Sequence, residues 1–135
     1  MIRSSSGSVR AAMSQRVPIP FSAATGEALA CRRALVFAKE VSALDCIFEG
    51  EAEVLIKAIW MEDVHNPEYG HVIEDILVQL GTLTFVFSIM LKDQAIKLSI
   101  ILARRSKSGC ELQVCFDNIP EEIDPLVAFD AMYSP

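Results

Sequence analysis

Residues 45–55, with the sequence DCIFEGEAEVL, contain the transition that decides how this chain folds. Residues 45–49 form a short, largely apolar run that predicts a β-strand, and Gly50 after it allows a sharp turn. Glu51 then begins a predicted helix over residues 51–60, because acidic side chains in a first turn interact favourably with the helix dipole. A strand that passes directly into a helix is typical of α/β proteins.

The same alternation of strand and helix continues on both sides of this stretch. Before it, residues 2–17 predict a β-hairpin that turns within residues 4–7, and residues 25–41 predict a long helix with Thr25 as its N-cap. After it, the predicted elements are a helix over 70–80 ended by Gly81, a strand over 82–91, a helix over 93–105, a short strand over 111–116 and a turn or short helix over 120–128. This order predicts an α/β sheet with crossover helices, in which ligands gather at the carboxyl ends of parallel strands.

Apolar side chains recur at three- and four-residue steps in the first three predicted helices, which predicts the faces that they bury. The inward positions are Ala24, Ala28, Cys31, Leu35, Ala38 and Val41 in the first helix, Val54, Leu55, Ala58 and Ile59 in the second, and Val72, Ile73, Ile76, Leu77 and Leu80 in the third. Trp60 and Met61 end the second helix. We interpret Trp60 as a core residue at the helix end, with an exposed stacking site as the alternative.

The composition is that of one ordinary domain. The chain has 135 residues, of which 52% are hydrophobic, and this is enough for a core without disulfides or a structural metal. No apolar run approaches the roughly 18 residues that a membrane-spanning helix requires, so we expect no membrane partner. The cysteines form no C-x-x-C pair and lie among apolar residues, which indicates buried free thiols in a reducing, intracellular compartment, nucleus or cytoplasm. They are Cys31, Cys46, Cys110 and Cys115.

The formal net charge of −6 limits how this chain can bind nucleic acid. Proteins that contact many phosphates usually present a basic surface, and the chain as a whole does not. A basic footprint would therefore be local. The candidates are Arg32 with Arg33, and residues 92–107.

Two carboxylates are candidates for a metal site. Glu51 follows a predicted strand, where a carboxylate is well placed to hold a hard cation such as Mg²⁺. Glu27 lies near the start of the preceding helix and would converge with Glu51 if that helix packs beside the strand. The alternative is that both acids are first-turn residues favoured by the helix dipole, and spacing alone leaves both open. His65 and His71, on either side of a proline-containing loop, are interpreted as loop or helix-cap residues, with a metal pair as the alternative.

Three motifs, in order along the chain, carry a resemblance to a known family. They are residues 26–35 (GEALACRRAL), residues 47–55 (IFEGEAEVL) and residues 102–105 (LARR). They resemble the E-A-x-A stretch of the first helix, the E-G-D or E-S-D strand end, and the L-A-R of the last catalytic helix in ribonuclease H type 1 domains of plant reverse-transcriptase-like proteins. The match implies such a domain over residues 1–108, followed by an acidic tail with a short strand and helix over 109–135.

The resemblance implies a mixed sheet flanked by helices that cleaves the RNA strand of RNA–DNA hybrids, using four acidic positions and two Mg²⁺ ions. The second acid matches Glu27. The third is normally Asp and matches Glu51, whose additional methylene displaces the carboxylate. The fourth falls on Ile100, which cannot bind a metal, and Met90 and Ile96 stand near the family's His and Asn. The first acid belongs to an opening central strand that is absent from this sequence, so we expect a sheet shortened at its N-terminal end.

These matches lead to a specific expectation. The partner is nucleic acid, as RNA–DNA hybrid or duplex, and Mg²⁺ is the cofactor that the family implies. Glu27 and Glu51 are the remaining catalytic and metal-binding residues, and catalysis is impaired or absent. The alternative is a non-enzymatic interaction domain, a relic of a mobile element that keeps the fold in order to bind a partner. A third interpretation is a poorly folding product of a gene fragment.

Overall fold

The structure is a computed structural model that describes residues 1–6, 8–18, 20, 22–50, 52–89 and 112–116. Within them the chain has the mixed α/β content expected from its alternating elements. The elements are β1 (Ile2–Arg3), β2 (Val9–Gln15), α1 (Ala23–Glu40), β3 (Asp45–Gly50), α2 (Glu53–Trp60), α3 (Gly70–Leu80), β4 (Thr84–Ile89) and β5 (Leu112–Phe116). The predicted helix over 93–105 and the predicted turn or helix over 120–128 lie outside the described residues.

The first of two compact units comprises residues 1–18 and 92–135. Its described strands form an antiparallel sheet in the order β1-β2-β5. The predicted hairpin is confirmed, and its turn is closed by a hydrogen bond from the Ser4 N–H to the Ser8 carbonyl at 2.8 Å. The short strand predicted over 111–116 is also observed, and it pairs with β2 from Ala11↔Phe116 to Gln15↔Leu112.

The second unit comprises residues 19–91 and contains the strand-to-helix transition. Here β3 and β4 pair in parallel, from Asp45↔Thr84 to Gly50↔Ile89, so both strands end at the same level. Phe48 in β3 packs against the core that the three helices form, whereas Ile47 is 70% exposed. Among the described strands β3 has β4 as its one partner. The expected parallel arrangement with intervening helices is therefore present in this unit.

The helical core confirms most of the predicted inward positions and corrects one. Its buried members are Ala28, Leu35, Leu55, Ile56, Ala58, Ile59, Tyr69, Val72, Ile73, Ile76 and Leu80, and Ala24, Cys31 and Leu77 pack against them. In α2, Ile56 is buried and the predicted Val54 is 65% exposed. The prediction was wrong because residues 54–56 are three consecutive apolar side chains. Periodicity alone does not decide which of the three faces away from the core.

The start of α1 differs from the predicted N-cap. Ser22 is the N-cap, and its hydroxyl accepts a hydrogen bond from the Thr25 N–H at 3.1 Å. The Thr25 hydroxyl instead donates to Glu68 Oε1 at 3.0 Å. Both residues are good capping types, and the tertiary partner of Thr25 explains why the upstream serine takes the role. The N-cap consequently lies three residues earlier than expected, and the helix begins at Ala23.

Two helices end with a non-glycine residue in the left-handed region. Ser42, after α1, has φ 59°, and Glu62, after α2, has φ 52°. Each end carries the hydrogen-bond pair of a Schellman motif. The N–H groups of Ser42 and Ala43 donate to the carbonyls of Lys39 and Ala38, and those of Glu62 and Asp63 donate to the carbonyls of Ile59 and Ala58. By contrast Gly81, at the predicted end of α3, is right-handed with φ −57°.

Candidate functional site

Glu27 lies on the exposed surface of α1, in its second turn. With Ser22 as the N-cap, the first turn of α1 contains no acidic residue. The interpretation of Glu27 as a first-turn acid held by the helix dipole is therefore wrong, because that interaction is confined to the first turn.

Glu27 also influences the thiol one helical turn further along α1. Burial raises the pKa of the Cys31 thiol to about 12, and the nearby negative charge of Glu27 adds to this increase. Cys31 and Cys46 are free cysteines, and Cys46 Sγ donates to the Ala43 carbonyl at 2.7 Å. At these two positions the thiols are free as expected, but both side chains are only partly buried. The side chains of Cys110 and Cys115 lie outside the description.

The other candidate acid is next to the end of β3. Gly50 is the last residue of this strand and pairs with Ile89, the last residue of β4. Among the residues that the structure describes, a Cβ atom built on Gly50 would meet nothing within 4 Å. Glu51 itself lies outside the described residues. Its predicted convergence with Glu27 remains a prediction.

The donor set in the described part of the chain does not by itself form a magnesium site. No group of three or more His, Cys, Asp or Glu side chains comes together there. Of the two expected acids, only Glu27 lies among the described residues, and Glu51 does not. The positions that match the family's other polar residues, Met90, Ile96 and Ile100, are also outside the description. His65 is exposed in the loop before α3 and His71 is exposed in the first turn of α3. Their positions agree with the loop and helix-cap interpretation.

The first of the two expected basic footprints is paired with carboxylates. Arg32 Nη1 lies 2.8 Å from Asp75 Oδ2, and Arg33 Nη1 lies 3.0 Å from Glu40 Oε2. Each guanidinium is thus balanced by one acidic group, which lowers the positive potential that this surface offers to phosphates. The second candidate footprint, residues 92–107, lies outside the described residues.

Three polar contacts join α1 to α3 and the residues just before it. They are Thr25 Oγ1 to Glu68 Oε1 (3.0 Å), Arg32 Nη1 to Asp75 Oδ2 (2.8 Å) and Lys39 Nζ to Gln79 Oε1 (2.7 Å). The donors are seven residues apart on α1, and their partners follow in the same direction, so the two helices run parallel. The heptad spacing of the donors is visible in the sequence, but their partners are not. These contacts supplement the buried packing of Ala28 and Leu35 in the core, which positions the helix that carries Glu27.

The exposed face of α2 carries large apolar side chains. Trp60 is 71% exposed and Met61 is 79% exposed, with Val54 on the same side of the helix. Trp60 is therefore not a core residue, and the interpretation as a helix-end core position was wrong. Leu55, Ile56, Ala58 and Ile59 already fill the buried face of α2. We call Val54, Trp60 and Met61 the α2 patch.

Comparison with protein-family models, with curated proteins and with solved structures finds no match to this chain. The family resemblance accordingly rests on the three sequence motifs and on the order of the elements. In the part of the chain that the structure describes, no helix combines the length and the apolar character needed to cross a membrane.

Proposed function

We propose that this chain is a ribonuclease H-like domain that binds nucleic acid and whose capacity to cleave RNA–DNA hybrids is impaired. The observation that carries the proposal is the parallel pairing of β3 with β4, with both strands ending at the same level. Ligands in α/β sheets gather at such strand ends. The order hairpin, α1, β3, α2, α3, β4 is the order that the sequence resemblance implies.

The proposed catalytic and metal-binding residues are Glu27 and Glu51. This role is consistent with the position of Glu27, which is exposed and lies on a helix that packs in the core through Ala28 and Leu35. Two carboxylates are fewer than a pair of divalent cations requires at a separation of roughly 4 Å. The described residues do not complete that set. We therefore propose weak Mg²⁺ binding and derive no cleavage step through the ion.

The test combines binding and turnover on the same substrate. Fluorescence anisotropy would measure binding of the full chain to a labelled RNA–DNA hybrid over a series of salt concentrations, with and without Mg²⁺ or Mn²⁺. We expect affinity that falls with salt, as phosphate contacts require. Gel analysis would follow cleavage, which we expect to be absent or slow.

The matched variants are Glu27→Gln and Glu74→Gln, since both remove one exposed carboxylate from a helix in the same unit. Residual cleavage should disappear in the first variant and persist in the second. Cleavage that survives Glu27→Gln would reject the assigned site. An absence of any hybrid or duplex affinity would reject the nucleic-acid proposal as a whole.

A second candidate function is a non-enzymatic interaction domain. Two observations favour it: the exposed Trp60 and Met61, and the pairing of Arg32 and Arg33 with carboxylates. The former gives the surface an apolar anchor of the kind common at protein interfaces. The latter removes positive charge from one of the surfaces that would attract phosphates.

A further inference from the structure

The α2 patch lies along one continuous strip of its helix. At 100° per residue, the exposed positions 53, 54, 57, 60 and 61 occupy an arc of about 120°, opposite the buried positions 55, 56, 58 and 59. Val54 and Met61 are seven residues apart, which places them two turns apart, or roughly 10 Å, along the same side. The patch therefore has the length and width of a contact with one helix.

The C-terminal end of the patch is held in a defined geometry. Met61 is the C-cap of α2, and the Schellman motif that follows is closed by hydrogen bonds from Glu62 to Ile59 and from Asp63 to Ala58. Glu62 adopts the left-handed backbone that this motif requires, although it carries a Cβ atom. Because both capping hydrogen bonds are formed, Trp60 and Met61 lie on an ordered helix end. An anchor that is already ordered loses little conformational entropy on binding.

The charges around the patch are predominantly acidic. Glu62 and Asp63 follow it directly, and both are exposed. Between its apolar ends, Lys57 Nζ lies 2.7 Å from Glu53 Oε1, and this hydrogen bond, together with the Lys57 charge, lowers the pKa of Glu53. The patch and the two residues that follow it therefore carry three carboxylates and one ammonium group, which is already paired with Glu53. Such a rim repels phosphates and attracts cationic side chains.

We propose that the α2 patch is a docking surface for a basic amphipathic helix of a partner protein. Aliphatic side chains of the partner, one per turn, contact Val54, Trp60 and Met61, and its lysine or arginine side chains lie over Glu62 and Asp63. In this mode of recognition an amphipathic helix places its apolar face against an apolar surface, and tryptophan and methionine side chains adapt to it. The proposal does not depend on nucleic acid binding or on the nuclease resemblance.

The test uses the intrinsic fluorescence of Trp60, because the chain contains one tryptophan. The probe is a synthetic amphipathic helical peptide of leucine and lysine, titrated into the full-length protein. We expect a saturable shift of the emission to shorter wavelength as the indole leaves water, and a weaker interaction at higher salt. The matched probes have glutamate in place of lysine, or serine in place of leucine, and a single-stranded oligonucleotide is the nucleic-acid probe.

The variants separate the patch from the rest of the surface. Met61→Ser, and separately Glu62→Gln combined with Asp63→Asn, should each weaken peptide binding by about tenfold, the effect of losing one significant interface contact. Val78→Ser is the control, because Val78 is 68% exposed on α3. It should leave binding unchanged.

Several results would overturn the proposal. They are no emission shift with the leucine–lysine peptide, an equal shift with the glutamate peptide, and wild-type affinity in the Met61→Ser variant. An emission shift with the oligonucleotide alone would also overturn it, since that would make the patch a nucleic-acid contact. Circular dichroism of each variant confirms that the comparison is made between folded proteins.

Discussion

Arg32 Nη1 donates a hydrogen bond to Asp75 Oδ2 at 2.8 Å, and this ion pair joins α1 to α3. It is the central of the three polar contacts that hold the two helices parallel. The same pair balances the positive charge of Arg32, which reduces the attraction that this guanidinium can exert on a phosphate. One contact thus bears on both the packing of the helices and the kind of partner that the surface accepts.

This pair should stabilise the fold only slightly. Its side chains are 39% and 55% exposed, and ion pairs in such positions typically contribute about 0.5 kcal/mol. Urea denaturation of Arg32→Ala, Asp75→Ala and the double variant would measure the coupling energy. We expect a coupling of this size that decreases with added salt. A coupling above roughly 2 kcal/mol would show that the pair is more buried than we describe.

Gly70 should not tolerate a side chain. A Cβ atom built there would overlap the carbonyl oxygen of Val64 and lie 2.7 Å from its carbon, and the backbone on both sides is constrained. We expect Gly70→Ala to lower the free energy of unfolding by about 1–3 kcal/mol, as overpacking does. Gly81→Ala is the matched control, because its Cβ would meet the Val78 carbonyl at 3.5 Å, an ordinary contact. If both variants unfold at the same urea concentration, the close approach at Gly70 is absent.

The left-handed residue after α1 offers a stabilising substitution. Ser42 has φ 59°, where glycine avoids the steric cost that a Cβ atom brings. Ser42→Gly should therefore raise the free energy of unfolding by up to about 1 kcal/mol, with a corresponding rise in Tm. Ala30→Gly, at an exposed position inside α1, should lower it by about 1 kcal/mol. The same sign for both substitutions would contradict the left-handed assignment.

Cys31 should be a slow nucleophile. Its pKa is raised to about 12, first by burial and then by Glu27, so little thiolate exists near neutral pH. In single-cysteine variants, alkylation by iodoacetamide at pH 8 should be much slower at Cys31 than at Cys46. Cys46 is the less buried of the two, although burial and Asp45 also raise its pKa. Equal rates would show that the Cys31 environment is open to solvent.

The raised pKa of Cys31 also makes the free energy of unfolding depend on pH. The folded pKa of Cys31, about 12, is above its ordinary value of 9.0, so the folded state favours the protonated thiol. Its contribution is complete below pH 9 and is lost as the pH rises from 9 towards 12. Comparing urea denaturation of the wild type and Cys31→Ala across this range would isolate the effect. The free energy of unfolding of the wild type, relative to that of Cys31→Ala, should fall as the pH rises from 9 towards 12.

The sequence predicted the elements more closely than their surfaces. The bounds of α3 are those predicted, because Gly70 and Gly81 enclose a clear apolar periodicity. The observed β3 extends one residue beyond the prediction. Apolar character alone predicts that Trp60 and Val54 face inward, but both side chains are exposed. Tertiary packing decides which apolar side chains of a helix stay outside the core, because the buried face has room for only some of them.

The candidate site was predictable only in part. The sequence identified Glu27 as a site candidate, but not that it lies in the second turn of α1, since this depends on Ser22 rather than Thr25 acting as the N-cap. Neither the pairing of Arg32 with Asp75 nor the left-handed ends at Ser42 and Glu62 has a marker in the sequence. Polar partners from distant segments and non-glycine residues with positive φ arise from the three-dimensional fit.

The parallel pairing of β3 with β4 also has a kinetic consequence. Its first partners, Asp45 and Thr84, are 39 positions apart (84 minus 45), with α2 and α3 between them. Contacts of such long range form late, because the chain must close a large loop before they contribute. We expect the helices to form first and the pairing of β3 with β4 to form later. Core substitutions in α3 should therefore slow refolding more than substitutions in β3. Until β4 pairs with it, β3 offers unpaired backbone groups and its Ile47 side chain to other chains, so aggregation should compete with refolding as protein concentration rises.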